Sequence, residues 1–278
     1  MESLSVLAPA KINLYLCVKE KRPDGYHEIE SVMQTLSLAD TLSATRTGEG
    51  ITLDTGGVLP ADGSNLVVRA AKAYFAASKK SFGVHLQLHK VIPMAAGMGG
   101  GSADAADGGF KNFDQINKAL ALGADVPFLV FGGTALCRGI GEKITPFCNR
   151  VRASVVVAVD GEGVSTPWAF AKLDERYDGF ADFQTDHTVA PLIDALENGD
   201  FSSTVSALFN RFEEVIEPRR PAVSSLKAAL LENGALGAQM SGSGPAVFGI
   251  SVSPRGGWAM PSDAVSSLWM AEIGELEE

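Results

Sequence analysis

Short apolar runs open the chain. Leu4 to Ala8 and Ile12 to Val18 read as two strands. In the second, Ile12, Leu14, Leu16 and Val18 alternate with Asn13, Tyr15 and Cys17, the period of two that turns one face of a strand to a core. Arg22-Pro23-Asp24-Gly25 marks a turn between extended segments. Asn65 is placed to cap a helix whose apolar face runs through Leu66, Ala70 and Tyr74, with Val67, Ala71 and Phe75 beside it. Val84, Leu86 and Leu88 alternate with His85, Gln87 and His89 as in a half-buried strand, which Pro93 ends. The two histidines then lie on its exposed face. Ser102 follows as the expected N-cap of a short helix, with Asp104 in its first turn. Val155 to Val159 is a strong apolar strand. Helical patterns cover Pro191 to Leu196, Thr204 to Ile216 and Ala222 to Glu232, the last stopped by Asn233-Gly234. Ala246 to Ile250 predicts another strand. The Pro/Gly/Ser-rich stretch after Val252 carries no assignable pattern.

Composition narrows the class. The chain has 278 residues, 46% hydrophobic and 20% charged, which suits a globular protein of one large or two modest domains. We place a soft boundary near Arg150, giving domains over 1–150 and 151–278. The formal net charge of -10 repels nucleic acid and anionic membrane. Neither is expected as a partner, and no apolar run is long enough to span a bilayer. Cys17, Cys137 and Cys148 form no CxxC pair, so a reducing, cytoplasmic setting is expected rather than a disulfide framework or a metal site. No signal peptide is apparent at the N-terminus.

The candidate chemistry starts in the loop Pro93-Met94-Ala95-Ala96-Gly97-Met98-Gly99-Gly100-Gly101-Ser102. Glycines let the backbone take positive φ and approach a ligand closely. Consecutive N–H groups ahead of a helix make an anion-binding nest. Such a loop attracts polyphosphate without Lys or Arg, which fits an acidic chain. It is not a Walker A loop, because no Lys follows the glycines. Nor is it a dinucleotide fingerprint, because Ser102 holds the third glycine position. By spacing alone it also suits a tight connector.

Three segments in order resemble the GHMP kinases: Ala8-Pro9-Ala10-Lys11-Ile12-Asn13-Leu14, the glycine-rich loop with Ser102-Ala103-Asp104-Ala105-Ala106, and Met240-Ser241-Gly242-Ser243-Gly244-Pro245. Arg22 to Glu28, Leu122 to Phe128 and Gly163 to Pro167 resemble the branch that acts on a cytidine-diphosphate-linked polyol. The resemblance runs from about Ala8 to Gly249. It implies an α+β, two-domain GHMP kinase fold. The N-terminal domain is similar to ribosomal protein S5 domain 2, and the C-terminal domain is ferredoxin-like. It also implies ATP and Mg2+ as cofactors, transfer of the γ-phosphoryl to a tertiary hydroxyl of the polyol, and a monomer or weak homodimer.

The same resemblance distributes roles. Asp125 matches the catalytic aspartate that accepts the hydroxyl proton; by itself it reads as a loop or cap residue. Lys11 matches the lysine that keeps such a carboxylate ionised and steadies the reacting groups; by itself it reads as a solvated strand lysine. On the nucleotide side stand Pro93, Gly97, Gly99, Gly100, Gly101, Ala103, and Ser102 toward a phosphate or the Mg2+. Asn65 and Lys90 match positions near the adenine. On the substrate side stand Asn13, Tyr26 stacking on cytosine, His27 at its polar edge, Phe170 on its other face, Thr166, and the backbone of Ser241, Gly242 and Ser243.

Two departures qualify the match. Between Ala106 and Leu120 the chain is shorter than the family by roughly two to three helical turns, taken from the helix after the loop and its partner before Asp125. The segment after Val252 lacks the expected helix and final strand. Other GHMP enzymes, of homoserine or mevalonate type, and a catalytically impaired nucleotide-binding homologue are the alternatives. A hydrolase is disfavoured because no Gly-x-Ser-x-Gly elbow is present.

Overall fold

The structure is a computed structural model and describes residues 3–78, 82–106, 120–180, 185–252 and 267–273. The chain divides into two compact units, neither continuous in sequence. One comprises Met1–Ala10, Leu38–Met94 and Gly99–Gly132. The other comprises Lys11–Ser37, Ala95–Met98 and Gly133–Glu278.

Two long strands, β1 (Ser3–Lys21) and β2 (His27–Thr47), contribute to both units. The two strands expected before Lys21 are one. Pro9 lies inside it, a position tolerated because β8 (Phe209–Asn210) pairs only at Tyr15 and Leu16, leaving the start of β1 as an edge.

In the first unit, the later half of β2 pairs antiparallel with β4 (Gly83–His89), from Thr41 opposite His89 to Thr47 opposite Gly83. β3 (Ile51–Asp54) lies parallel to β4, and α1 (Leu66–Ser78) makes the crossover that parallel strands require. α1 buries Val67, Val68, Ala70 and Ala71 against Leu42, Leu53, Leu86 and Leu88. Its inner face is thus rotated from the expected one, since Leu66 and Tyr74 are only half-buried. As expected, His85 and His89 point outward from β4. α2 (Gly100–Ala106) packs against α1 and α3 (Val126–Phe131).

In the second unit, the early half of β2 pairs antiparallel with β5 (Thr134–Gly139), which carries β6 (Lys143–Pro146). A separate antiparallel sheet runs β11 (Ser267–Ile273), β7 (Ala153–Val159), β10 (Val247–Ser251), β9 (Gly237–Met240). Around it lie α4 (Thr166–Arg176), α5 (Ala190–Asn198), α6 (Phe201–Ser206), α7 (Glu213–Ile216) and α8 (Pro221–Glu232). One core joins Leu16, Val18 and Ile29 to Val156, Ala158, Leu173, Ile216, Leu226 and Val247.

Three further expectations change. The helix expected over Thr204 to Ile216 is broken into α6, β8 and α7, because Phe209 and Asn210 are drawn into pairing with Tyr15 and Leu16. The final strand expected to be missing is present as β11, paired with β7 along its full length. α2 begins at Gly100, so Ser102 sits inside the helix rather than capping it. The shortened stretch 107–119 and the rest of the segment after Val252 lie outside the described residues.

Candidate active site

Positive φ recurs at every second residue of the glycine-rich loop. Ala95, Gly97 and Gly99 have φ of 51°, 81° and 69°, and the residues between them do not have positive φ. A loop whose φ changes sign from residue to residue can turn successive N–H groups toward one side, as an anion nest requires. Gly97 is required by space as well as by φ: a Cβ there would lie 2.2 Å from the Ser241 carbonyl oxygen. Past the loop, α2 opens with the Ala103 N–H bonded to the Gly99 carbonyl at 2.8 Å. Gly100, Gly101 and Ser102 occupy its first turn, and a Cβ on Gly123 would touch the Ser102 hydroxyl at 3.4 Å. The turn bearing Asp125 is therefore packed on the loop's exit helix. Asp125 itself is half-buried at the N-terminus of α3 and places no side-chain bond on the helix end. Its carboxylate is not spent on capping.

Nearby in this unit, Asn65 does cap α1. Its Oδ1 accepts from the Val67 N–H at 2.9 Å and its Nδ2 donates to the Pro60 carbonyl at 2.8 Å. Lys90 is also committed: its ammonium contacts Asp40 and lies 2.8 Å from Asp104. Asp104 is buried at 1% exposure, not a solvated first-turn acid. Burial pushes its carboxyl up to about 7, against the pull of Lys90 and with help from the like charge of Asp40.

In the second unit Lys11 is buried, which rules out a solvated strand lysine. Lys11 Nζ donates to Asn13 Oδ1 at 2.7 Å, Asn13 Nδ2 to Ser31 Oγ at 2.9 Å, and the Ser31 hydroxyl to the Tyr15 carbonyl at 2.7 Å. The Lys11 N–H bonds the Met98 carbonyl at 3.0 Å, so the first and second sequence motifs meet. The third meets the loop too. Ser241 Oγ donates to the Gly97 carbonyl at 3.0 Å, and the Ala246 N–H donates to the Ala96 carbonyl. The Ser241 and Gly244 N–H groups are used within their own turn. Ser241, Gly242 and Ser243 are buried, and Ser243 shares a hydroxyl contact of 2.8 Å with the exposed Thr166.

Tyr26 and His27 part company. Tyr26 is 60% exposed and makes no ring contact among the described residues. His27 is buried, its Nε2 2.7 Å from Asp174 Oδ1. Its ring is stacked on Phe170 at 4.6 Å and 16°. Phe170 also meets Phe212 in a T-shaped contact, so one of its faces and a second contact are already made with protein. Burial alone would raise the Asp174 carboxyl, but bonds from Lys21 and His27 hold it below the usual range.

Three residues outside the sequence-derived set matter to this geometry. Asn210 Nδ2 donates to the carbonyls of Met240 and Gly242 and so fixes the third motif. Asp174 orients His27, and Asp40 receives Lys90. Asn210 was masked by a helical pattern. Asp40, an acid in the apolar stretch Leu36 to Leu42, was the one legible signal.

Comparison with known proteins fits these motifs. The GHMP kinase N-terminal domain model matches residues 65–109 and the C-terminal one residues 192–255. A 4-diphosphocytidyl-2-C-methyl-D-erythritol kinase from Synechococcus elongatus is 38% identical, covering 91% of this chain and 88% of the relative. One from Pelotomaculum thermopropionicum is 40% identical over 89% of each. The solved structure of a 4-(cytidine 5'-diphospho)-2C-methyl-D-erythritol kinase superposes with a TM-score of 0.83 at 32% identity, covering 98% of this chain and 100% of that one. A homoserine kinase from Cytophaga hutchinsonii, at 19% identity and a TM-score of 0.69, shares the fold. The α+β, two-domain architecture expected from the motifs is the one these proteins have. At that identity and coverage, the chain belongs to the 4-diphosphocytidyl-2-C-methyl-D-erythritol kinase family of GHMP kinases.

Proposed function

We propose that the chain transfers the γ-phosphoryl of ATP to the 2-hydroxyl of 4-diphosphocytidyl-2-C-methyl-D-erythritol, a step of the non-mevalonate route to isoprenoid precursors. The observation that carries this is the near full-length identity to kinases of that name. The alternating backbone of Ala95 to Gly99 supports it physically, because it offers amides to a polyphosphate in a chain of net charge -10. Phosphoryl transfer needs positioning, charge neutralisation and a proton acceptor. In this proposal the loop from Pro93 to Ala103 positions the phosphates, Asp125 takes the hydroxyl proton, and Lys11, oriented by Asn13, meets the charge on the transferring group. A divalent cation, Mg2+ here, neutralises the β- and γ-phosphates when bound. Ser102, in the first turn of α2, is the side chain toward it.

On the substrate side, Tyr26 offers an open aromatic face to cytosine. Asp174 holds the His27 ring by Nε2, so Nδ1 is the nitrogen left for the base edge. Phe170 supports the base slot through His27 rather than as a second stacking face. Thr166 and the Ser241 to Ser243 turn line the polyol side. Asn65 serves the adenine end while capping α1. We place the division between N- and C-terminal domains near residue 150, and a cytoplasmic monomer or weak homodimer as the working form. Among the described residues no helix is long and apolar enough to cross a membrane.

ADP release under Mg2+ and ATP tests this. We expect turnover with the cytidine-linked polyol and none with homoserine or mevalonate. Asp125→Ala should lower kcat by about 10²–10⁴-fold, the range for a lost general base, with ATP affinity within several-fold. Turnover of homoserine or mevalonate instead would move the chain to another GHMP branch. ATP binding without ADP release on any alcohol would make it a nucleotide-binding homologue.

A further inference from the structure

Asp40 is 0% exposed in β2 and has no part in the function proposed above. Its Oδ2 takes the Lys90 ammonium. Its Oδ1 accepts the N–H groups of Val91 and, at 2.8 Å, Ile92, the last residues before Pro93. The same ammonium reaches Asp104 Oδ2 at 2.8 Å, in the helix that follows the loop. The side chain of Lys90 is 6% exposed and those of its two partners 0% and 2%. Gly100 lies against this ammonium, for a Cβ there would stand 3.3 Å from Lys90 Nζ and 3.1 Å from Ile92 Cγ2. Entry strand and exit helix of the glycine-rich loop are therefore tied through one buried cation.

We propose that Asp40, Lys90 and Asp104 form a clamp at the base of the loop, with Asp40 a positioning residue that sets the span between Ile92 and Gly100 and hence the aim of the loop amides at the phosphates. Two observations favour this over a direct role for Lys90 at the adenine. Two of the three ammonium donors are spent on carboxylates. Asp40 also holds backbone on the entry side, which a simple counter-ion to Lys90 has no need to do. Two carboxylates and one ammonium leave a buried surplus of negative charge, which is tolerable when Asp104 carries a proton. Breaking one partner of such a group leaves an uncompensated buried charge, so loss of Asp40 or Lys90 should release the tether.

The clamp rests on the proposal that this loop holds ATP, and the experiment separates the two. The ligands are ATP and adenosine, titrated calorimetrically against the full chain as wild type, Asp40→Asn and Lys90→Met. If the wild type fails to bind ATP, the kinase reading falls first and the clamp with it. Given wild-type binding, we expect both variants to weaken ATP at least 10-fold while adenosine affinity and KM for the cytidine substrate stay within 2-fold. Amide hydrogen exchange over 91–104 should rise in both. An equal loss for adenosine and ATP would place Lys90 on the base and overturn the clamp. So would unchanged ATP affinity in either folded variant. Should neither variant fold, Asp104→Ala removes only the exit tether: the same ATP-selective loss is expected, and its absence rejects the proposal.

Discussion

Lys90 and Asp104 show how burial changes what a residue type means. In sequence they are single charged residues on either side of a glycine-rich loop; in the structure they are buried and joined. The Asp104 carboxyl, pushed up to about 7, binds its proton more tightly folded than unfolded. Between about pH 4 and pH 7 the native state thus holds a proton the unfolded chain has lost. Stability should fall as pH rises through that window and level off above it. Asp104→Asn should flatten the slope, which thermal melts from pH 4.5 to pH 8 would read directly. An unaltered slope in the variant would assign the effect to another group. At this scale the candidate residues themselves were legible: Lys11, Asp125 and the loop glycines stand in recognisable spacing. Most of their partners were not, because Ser31 and Asp174 are distant in sequence and ordinary in type; Asp40 alone stood out, as an acid between Leu36 and Leu42.

At the scale of elements, periodicity placed β4, α5 and α8 well, since each buries a face of its own period, and a continuous apolar run placed β7, which is buried on both faces. It failed where pairing decided. β8 is two residues long and exists because β1 accepts it. β11 follows a stretch without pattern, yet it lines β7 from Ser267 opposite Val159 to Ile273 opposite Ala153. β7 is buried throughout, which an edge strand is not. A chain ended after residue 266 should expose β7 as an edge. It should lose about 3 kcal/mol or more, from the burial of Ala271 and Ile273 and from the lost ladder. Chemical denaturation gives the loss, and size-exclusion chromatography should show self-association. A truncated chain as stable and as monomeric as the parent would mean that β11 adds nothing.

Over the whole molecule, a net charge of -10 meets two anionic ligands. If main-chain amides do most of the phosphate binding, long-range repulsion remains for salt to screen. Going from about 10 to about 150 mM ionic strength shortens the screening length from about 30 to about 8 Å. The association rate of Mg·ATP should then rise, by about two-fold. Stopped-flow measurement with a fluorescent ATP analogue reads it. A steep fall with salt would show that exposed Lys and Arg side chains steer the nucleotide instead.

The sequence by itself determined the class of the fold, the order of the three motifs and the glycine-rich loop. The motifs and the loop are properties of local spacing, since a backbone that must take positive φ favours glycine wherever it is placed; the class of the fold follows from the family resemblance those motifs carry. Only the tertiary structure decided that Gly97 faces the Ser241 carbonyl. The same holds for His27 resting on Phe170 and Asp174, and for Asp40 anchoring the strand that feeds the loop. The reason is one of distance along the chain. A hydrogen bond or a stacked ring between residues 51 to 147 positions apart leaves no periodic trace, so its partners become visible only when the chain is folded.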